Sequence, residues 1–169
     1  MHRIAVLVLF ALAVVPAAFA EDAPTPAQPS ALCKQQRTAL GSSAFTQFYG
    51  GAKNAYGRCV SKLSSASAGD TANASKQCRA EAADTSFATG HGGKTFEQVY
   101  GTGKNGHNAF GKCVSQKSSA LSQERQEKTI AAAKTCKGER TSMGAAAFTA
   151  KYGNRSNAFG KCVSKIAHA

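Results

Sequence analysis

The chain has 169 residues, 43% of them hydrophobic, with no tryptophan, 16 glycines and six cysteines. That is the length of one ordinary domain or of a few very small ones, and the large apolar residues are too thinly spread for a deep core. Basic residues outnumber acidic ones by 21 to 9, a net charge of +12, which favours anionic partners over cationic ones.

Residues 1–20 read as an address. Met1-His2-Arg3 carries positive charge, residues 4–15 are an apolar run too short for a bilayer span, Pro16 breaks the run, and Ala18-Phe19-Ala20 is a small-x-small cleavage site. This is the pattern of a secretory signal peptide cut before Glu21. Its removal leaves 20 basic and 9 acidic side chains, a net charge of +11. No later segment approaches the apolar length of a membrane helix. The mature protein is therefore expected to be secreted or extracytoplasmic, in the periplasm or cell envelope. There, acidic wall polymers and anionic lipid surfaces are more available than nucleic acid. The plain alternative is a charge that only keeps a small protein soluble.

Residues 21–30 hold Pro24, Pro26 and Pro29 and nothing that can pack, so they are expected to form a disordered or polyproline-like tether. No proline follows Pro29, which suits helices.

The rest is a repeat. NAFGKCVSK at 157–165 recurs as NAFGKCVSQK at 108–117 and NAYGRCVSK at 54–62. Upstream of each lie a leading cysteine, an aromatic pair and a Tyr-Gly step. Residues 33–62 and 136–165 align without a gap, with 17 of 30 positions identical, Arg37/Arg140 and Gly41/Gly144 among them. The middle copy carries two insertions, around 89–94 and 103–106, which mark the loops of the unit. Unit 1 is placed at 31–65, unit 2 at 70–118, and unit 3 at 119–169 with a leading helix.

Each unit reads as three helical pieces. In unit 1, Ser30 is the expected cap of a first helix over 31–40, stopped by Gly41; Met143-Gly144 ends the third copy in the same way. The second piece is one or two turns long. Phe45 and Tyr49, Phe96 and Tyr100, and Phe148 and Tyr152 are each four apart, hence on one face. Gly50, Gly101 and Gly153 follow as left-handed stops. The third piece starts at Asn54, Asn108 or Asn157, each a good N-cap. On it Tyr56, Cys59, Val60 and Leu63 share a face, as do Phe159, Cys162, Val163 and Ile166. Gly57, Gly111 and Gly160 lie early in this helix, where glycine costs roughly 1 kcal/mol against alanine. The repeated cost predicts close backbone approach, with the first helix as the expected neighbour.

The connectors differ. Residues 64–69 are Ser/Ala-rich and expected to be loose, with Asp70 capping the helix into Cys78. Residues 118–134 are better helix material, with Leu121, a Glu124–Lys128 pair and three alanines. The leading cysteines are 45 and 58 residues apart, too uneven for a strict solenoid. The fold expected is mostly α: three tandem small helical units, each stapled by one disulfide, partly packed on each other.

Six cysteines allow 15 pairings. Each unit has one cysteine in its first helix and one on the inner face of its last, and must fold the same way three times. Local closure therefore predicts Cys33–Cys59, Cys78–Cys113 and Cys136–Cys162. Closing a loop of about 27 residues stabilises by roughly 3.5 kcal/mol in the chain-entropy model, comparable to what so thin a core supplies.

The phrase YG…NAFGKCVSK, with an upstream cysteine and an aromatic four residues before the tyrosine, resembles a repeat of secreted proteins of actinobacterial type. The resemblance covers most of 33–165. It implies secretion and repetition and brings no assigned activity.

No catalytic constellation stands out. ATGHGGKT at 88–95 looks like a relaxed phosphate loop, but no apolar strand precedes it and the usual first glycine is Ala88. Glu97 with His91 or His107 could form an acid/base set, yet nothing selects them. The G-x-S-x-G elbow is absent. There is no C-x-x-C pair for zinc and no C-x-x-C-H for haem. No cofactor or metal is expected, and the chain is read as non-enzymatic. The triplets at 73–75 and 154–156 match the glycosylation pattern by chance.

The basic residues are better patterned. Lys34, Arg79 and Lys137 follow the leading cysteines. Arg58, Lys112 and Lys161 precede the second ones, and Lys62, Lys117 and Lys165 lie just beyond them. Positive charge is thus gathered around each staple, and three such patches could hold a long polyanion multivalently. The function expected is an envelope-associated or extracellular interaction protein that binds acidic polymers. The alternatives are a small disulfide-stabilised effector or inhibitor acting on a protein partner, and a hydrolase or nucleotide-dependent enzyme that uses Lys94 and His107.

Overall fold

Seven helices and no strand make up the residues described by the computed structural model, which are 28–51, 53–102, 105–153 and 157–169. The expected signal peptide, the tether as far as residue 27 and the triplet at 154–156 lie outside them. Helix α1 is Pro29–Leu40, α2 Ser42–Tyr49, α3 Ala55–Ala83, α4 Phe87–Gly90, α5 Phe96–Tyr100, α6 Ala109–Tyr152 and α7 Ala158–Ala167. The three disulfides join Cys33 to Cys59, Cys78 to Cys113 and Cys136 to Cys162, and all six cysteines are fully buried.

The local signals act mostly as the residue types require. Gly41 (φ 75°) separates α1 from α2, and Gly144 (φ 81°) interrupts α6 with a non-helical kink, so both fall after the first helix of units 1 and 3, where a β-carbon would be strained. The aromatic pairs meet as tilted rings on one helix face, with ring centroids 4.9, 5.0 and 4.9 Å apart in units 1, 2 and 3. Three details differ. Helix α1 starts at Pro29, with Gln28 rather than Ser30 at the cap, as suits a residue that lacks an N–H. Asn54, Asn108 and Asn157 hold the N-cap positions without a capping bond; the Asn108 side chain instead bonds Thr102 through the main-chain N–H (2.9 Å) and the hydroxyl (2.6 Å). Gly101 has φ −74° and is no left-handed stop. Its missing side chain makes room for Gly106 of the second insertion, whose Cα would lie 2.5 Å from a β-carbon there.

The larger correction concerns the connectors. Residues 64–69 are not loose: they lie within α3, which runs unbroken from the last helix of unit 1 into the first of unit 2. Asp70 is not a cap but a buried mid-helix residue. Helix α6 likewise carries the last helix of unit 2 into the first of unit 3. Both expected unit boundaries, at 65–70 and 118–119, therefore fall inside helices. Weak local propensity is overridden because α3 and α6 pack along each other and bury Asp70 and Ala74 of α3 and Ser118, Ser119 and Ser122 of α6.

This shared pair of helices sets the arrangement. Units 1 and 3 pool one core, in which Leu32, Leu40, Phe45, Tyr49 and Leu63 meet Ala132, Ala133, Phe148, Phe159 and Val163. Unit 2 keeps a separate, smaller core of Cys78, Phe87, Phe96, Ala109 and Cys113.

Of the three repeated glycines, only Gly160 is closely approached. A β-carbon there would lie 3.3 Å from the Phe48 carbonyl oxygen and 2.8 Å from the Asn157 side chain, while at Gly57 and Gly111 it would meet nothing within 4 Å. The neighbour is the C-terminal end of α2 in unit 1, not a first helix. Gly57→Ala should accordingly gain up to about 1 kcal/mol of stability from helix propensity alone, whereas Gly160→Ala should lose stability. Urea midpoints of the two variants check this, and equal gains at both sites would show that the approach to Gly160 is not tight.

Candidate anion-binding surface

A polar bond recurs at the heart of every unit. The residue three places after the leading cysteine is Gln36, Glu81 or Glu139, and it accepts a hydrogen bond from the tyrosine of the second helix: Tyr49 to Gln36, Tyr100 to Glu81 (2.9 Å), Tyr152 to Glu139 (2.8 Å). Sequence comparison passes over it because the acceptor changes from Gln to Glu. The change follows burial. Gln36 is 1% exposed, where a carboxylate would carry a heavy desolvation penalty. It donates onward to Gln126 (2.8 Å), which reaches the Leu32 carbonyl (3.1 Å). Burial pushes the Tyr49 hydroxyl up to about 12.

In the other two units the acceptor is a carboxylate and is neutralised. Lys117 pairs with Glu81 at 2.8 Å and Lys151 with Glu139 at 3.0 Å. Burial pushes Glu81 up, but its bonds from Lys117 and Tyr100 outweigh that and hold it below the usual range. Glu139 is held low by Lys151 first and Tyr152 second. Two further acids are paired. Asp70 pairs with Arg125 and accepts from Ser122 (2.7 Å) between α3 and α6, and Glu124 pairs with Lys128 at 2.7 Å along the exposed side of α6, as expected from its spacing.

The cations around the staples fare differently. Among the described residues, Lys34, Arg58, Lys62, Arg79, Lys112, Lys137, Lys161 and Lys165 form no ion pair. All are exposed except Lys112, which is half-buried. Arg58 donates to the Gly50 carbonyl at 2.8 Å and so closes the C-terminus of α2, where a cation is favoured by the helix dipole. Lys161 lies over Gly153 in the equivalent place. The Lys62 ammonium sits 5.1 Å from the centre of the Phe48 ring.

Lys117 departs from this set. It stands four residues after its cysteine, not three as Lys62 and Lys165 do. It therefore occupies the inward position of Leu63 and Ile166, half-buried against Glu81, and its charge is spent there. One cation missing from the expected set joins it. Arg140 donates to Gln47 at 2.6 Å across the contact between units 3 and 1. With Lys137, Ser42 and Ser43 it lines a shallow cleft of about 290 Å³. Its identity with Arg37 between repeats was the available signal.

A cavity of about 470 Å³ lies between α1, α2, α3, α6 and α7. Phe48, Leu63, Leu121 and Val163 form its apolar lining, and Lys62, Asp70, Glu124, Arg125 and Lys128 its polar part. Its acids are matched by its own cations. Burial holds the Arg125 guanidinium below its ordinary range, and its Nη1 is buried with no hydrogen-bond partner.

Among the described residues no group of three or more His, Cys, Asp or Glu is placed to hold a metal ion, and no helix is long and apolar enough to cross a membrane. No family model, no curated protein and no solved structure matches the chain.

Proposed function

We propose that this is a secreted, non-enzymatic interaction protein of the cell envelope or exterior that binds acidic polymers through the cations around its disulfides. The observation that carries the reading is the partition of charge. Four of the nine acids form ion pairs with Lys117, Arg125, Lys128 and Lys151. Among the described residues, eight of the nine cysteine-flanking cations form no ion pair, although Lys165 acts at longer range on Glu139. A surface meant only for solubility gains nothing from such sorting, whereas a polyanion site needs cations that its own carboxylates do not neutralise. The eight cations are fixed to helices stapled by the disulfides, so their spacing is set before binding, which lowers the ordering cost.

The test is binding of the oxidised protein to purified wall polymers, anionic vesicles and heparin across a salt series. Affinity should fall at least about tenfold between 50 and 200 mM salt. Charge removal at Lys34, Arg79 and Lys137 together should weaken binding and flatten the salt slope, while Lys117→Gln should leave binding by the folded protein unchanged. Absence of binding at low salt would overturn the proposal. A single salt-tolerant protein partner would favour the effector or inhibitor reading instead.

A further inference from the structure

We propose that the cavity of about 470 Å³ between units 1 and 3 binds a single-chain amphiphile with one anionic head, a medium-length fatty carboxylate being the simplest such ligand. Its volume falls in the range of about 300–1,000 Å³ usual for small-molecule sites. Its wall is mostly apolar, made by Phe48, Leu63, Ala66, Leu121, Val163 and Ala167. Leu63 and Val163 are buried and the other four half-buried, so apolar surface runs from the shared core outward to the mouth. A hydrocarbon chain that covers this surface gains by removing it from water.

The charges select the head. Five charged side chains line the cavity: Lys62, Asp70, Glu124, Arg125 and Lys128. Asp70 pairs with Arg125 and Glu124 with Lys128, so both acids are satisfied from within the lining. Three cations against two acids leave a net charge of +1, and it falls on Lys62. Lys62 forms no ion pair among the described residues. It is exposed, hence at the rim, and its ammonium lies 5.1 Å from the centre of the Phe48 ring. A single bare cation at the mouth of an apolar hollow is complementary to one negative head on one apolar tail. A cationic amphiphile would set like charge against Lys62. A polyanion would have to strip its charged groups of water to enter the apolar part.

The aromatic wall is particular to unit 1. Val99 and Lys151 hold the place of Phe48 in the other two units, and Lys151 is tied to Glu139. The site therefore occurs once per chain and not once per repeat. It is separate from the polymer-binding reading, although Lys62 belongs to both. What distinguishes the two is the tail: amphiphile affinity follows chain length and is only weakly sensitive to salt, whereas polymer affinity follows salt.

The experiment is calorimetric titration of the oxidised protein with straight-chain carboxylates from hexanoate to decanoate, each below its micelle concentration, with decanol and decylamine as controls. The dissociation constant should fall about two- to fourfold per added methylene. It should change less than about threefold over the salt range that weakens polymer binding tenfold. Decylamine should bind at least about tenfold more weakly than decanoate. Lys62→Gln should weaken decanoate and leave decanol unchanged, which a merely structural lysine would not do. Ala66→Phe fills the hollow from α3 and should weaken decanoate and decanol alike by at least about tenfold, with heparin binding unchanged. Leu121→Trp fills it from α6 and makes the same check where Ala66→Phe disturbs folding. Absence of saturable carboxylate binding, or binding indifferent to chain length, to head charge or to both filling substitutions, would overturn the inference.

Discussion

Replacing Asp70 with alanine is expected to destabilise the protein by about 3 kcal/mol, the low end of what removing one partner of a buried ion pair costs. Asp70 lies in the middle of α3 and faces Arg125 and Ser122 in the middle of α6. The Asp70 side chain is 12% exposed and that of Arg125 27%, so neither charge is well hydrated. Removing the carboxylate leaves a guanidinium between two long helices with Nη1 already unbonded, and it takes the acceptor of Ser122 as well. The penalty comes from the stranded charge, not from the lost attraction. The double variant Asp70→Leu with Arg125→Met should therefore recover most of the loss, since apolar residues of similar volume often replace a buried pair without penalty. Urea unfolding monitored by circular dichroism reads both. A single-variant loss below about 1 kcal/mol would mean that Arg125 swings out to water.

The same pair of residues shows where sequence reasoning stopped. Residues 64–69 contain serine, alanine and glycine with no apolar stripe, and local preference there favours a loop. What makes them helix is α6, about 50 residues further on, and a mid-helix aspartate looks like a cap until its partner is in view. Lys117 failed for a related reason. One extra residue in NAFGKCVSQK turns the final lysine by about 100° around the helix, from the outer face to the inner, and alignment by residue type hides the turn. The bond from tyrosine to Gln36, Glu81 and Glu139 was hidden because its acceptor tracks burial, which is tertiary. What could be read was local or repeated: the four-residue aromatic spacing, the glycine stops after the first helices, and above all the cysteines. Three copies that must each close in one way leave little freedom in the pairing. The pooling of units 1 and 3 into one core was not legible, because their gapless alignment is consistent equally with separate units and with partners.

That pooling makes the three disulfides unequal. Each closes a loop, with sequence separations of 26, 35 and 26 residues, and each removal is expected to cost roughly 3.5 to 4 kcal/mol by loss of loop-closure entropy. The consequences differ with the core around each staple. Cys33–Cys59 and Cys136–Cys162 sit in the one core that joins units 1 and 3. Changing either pair to alanine should lower the main cooperative transition by the full amount, with protection lost together across 32–63 and 132–163. Cys78–Cys113 holds a core with only three other buried apolar residues, Phe87, Phe96 and Ala109. Without its staple that core is too small to hold by itself, so unit 2 should open locally while the pooled core persists. Native-state hydrogen exchange separates the cases. In Cys78→Ala/Cys113→Ala, the amides of 87–100 and 109–114 should exchange early while those around Phe45, Phe148 and Val163 stay protected. Uniform loss of protection in that variant would show instead that α3 and α6 couple unit 2 to the rest as one cooperative body. The short core of unit 2 would then draw its stability from the long helices and not from its own staple.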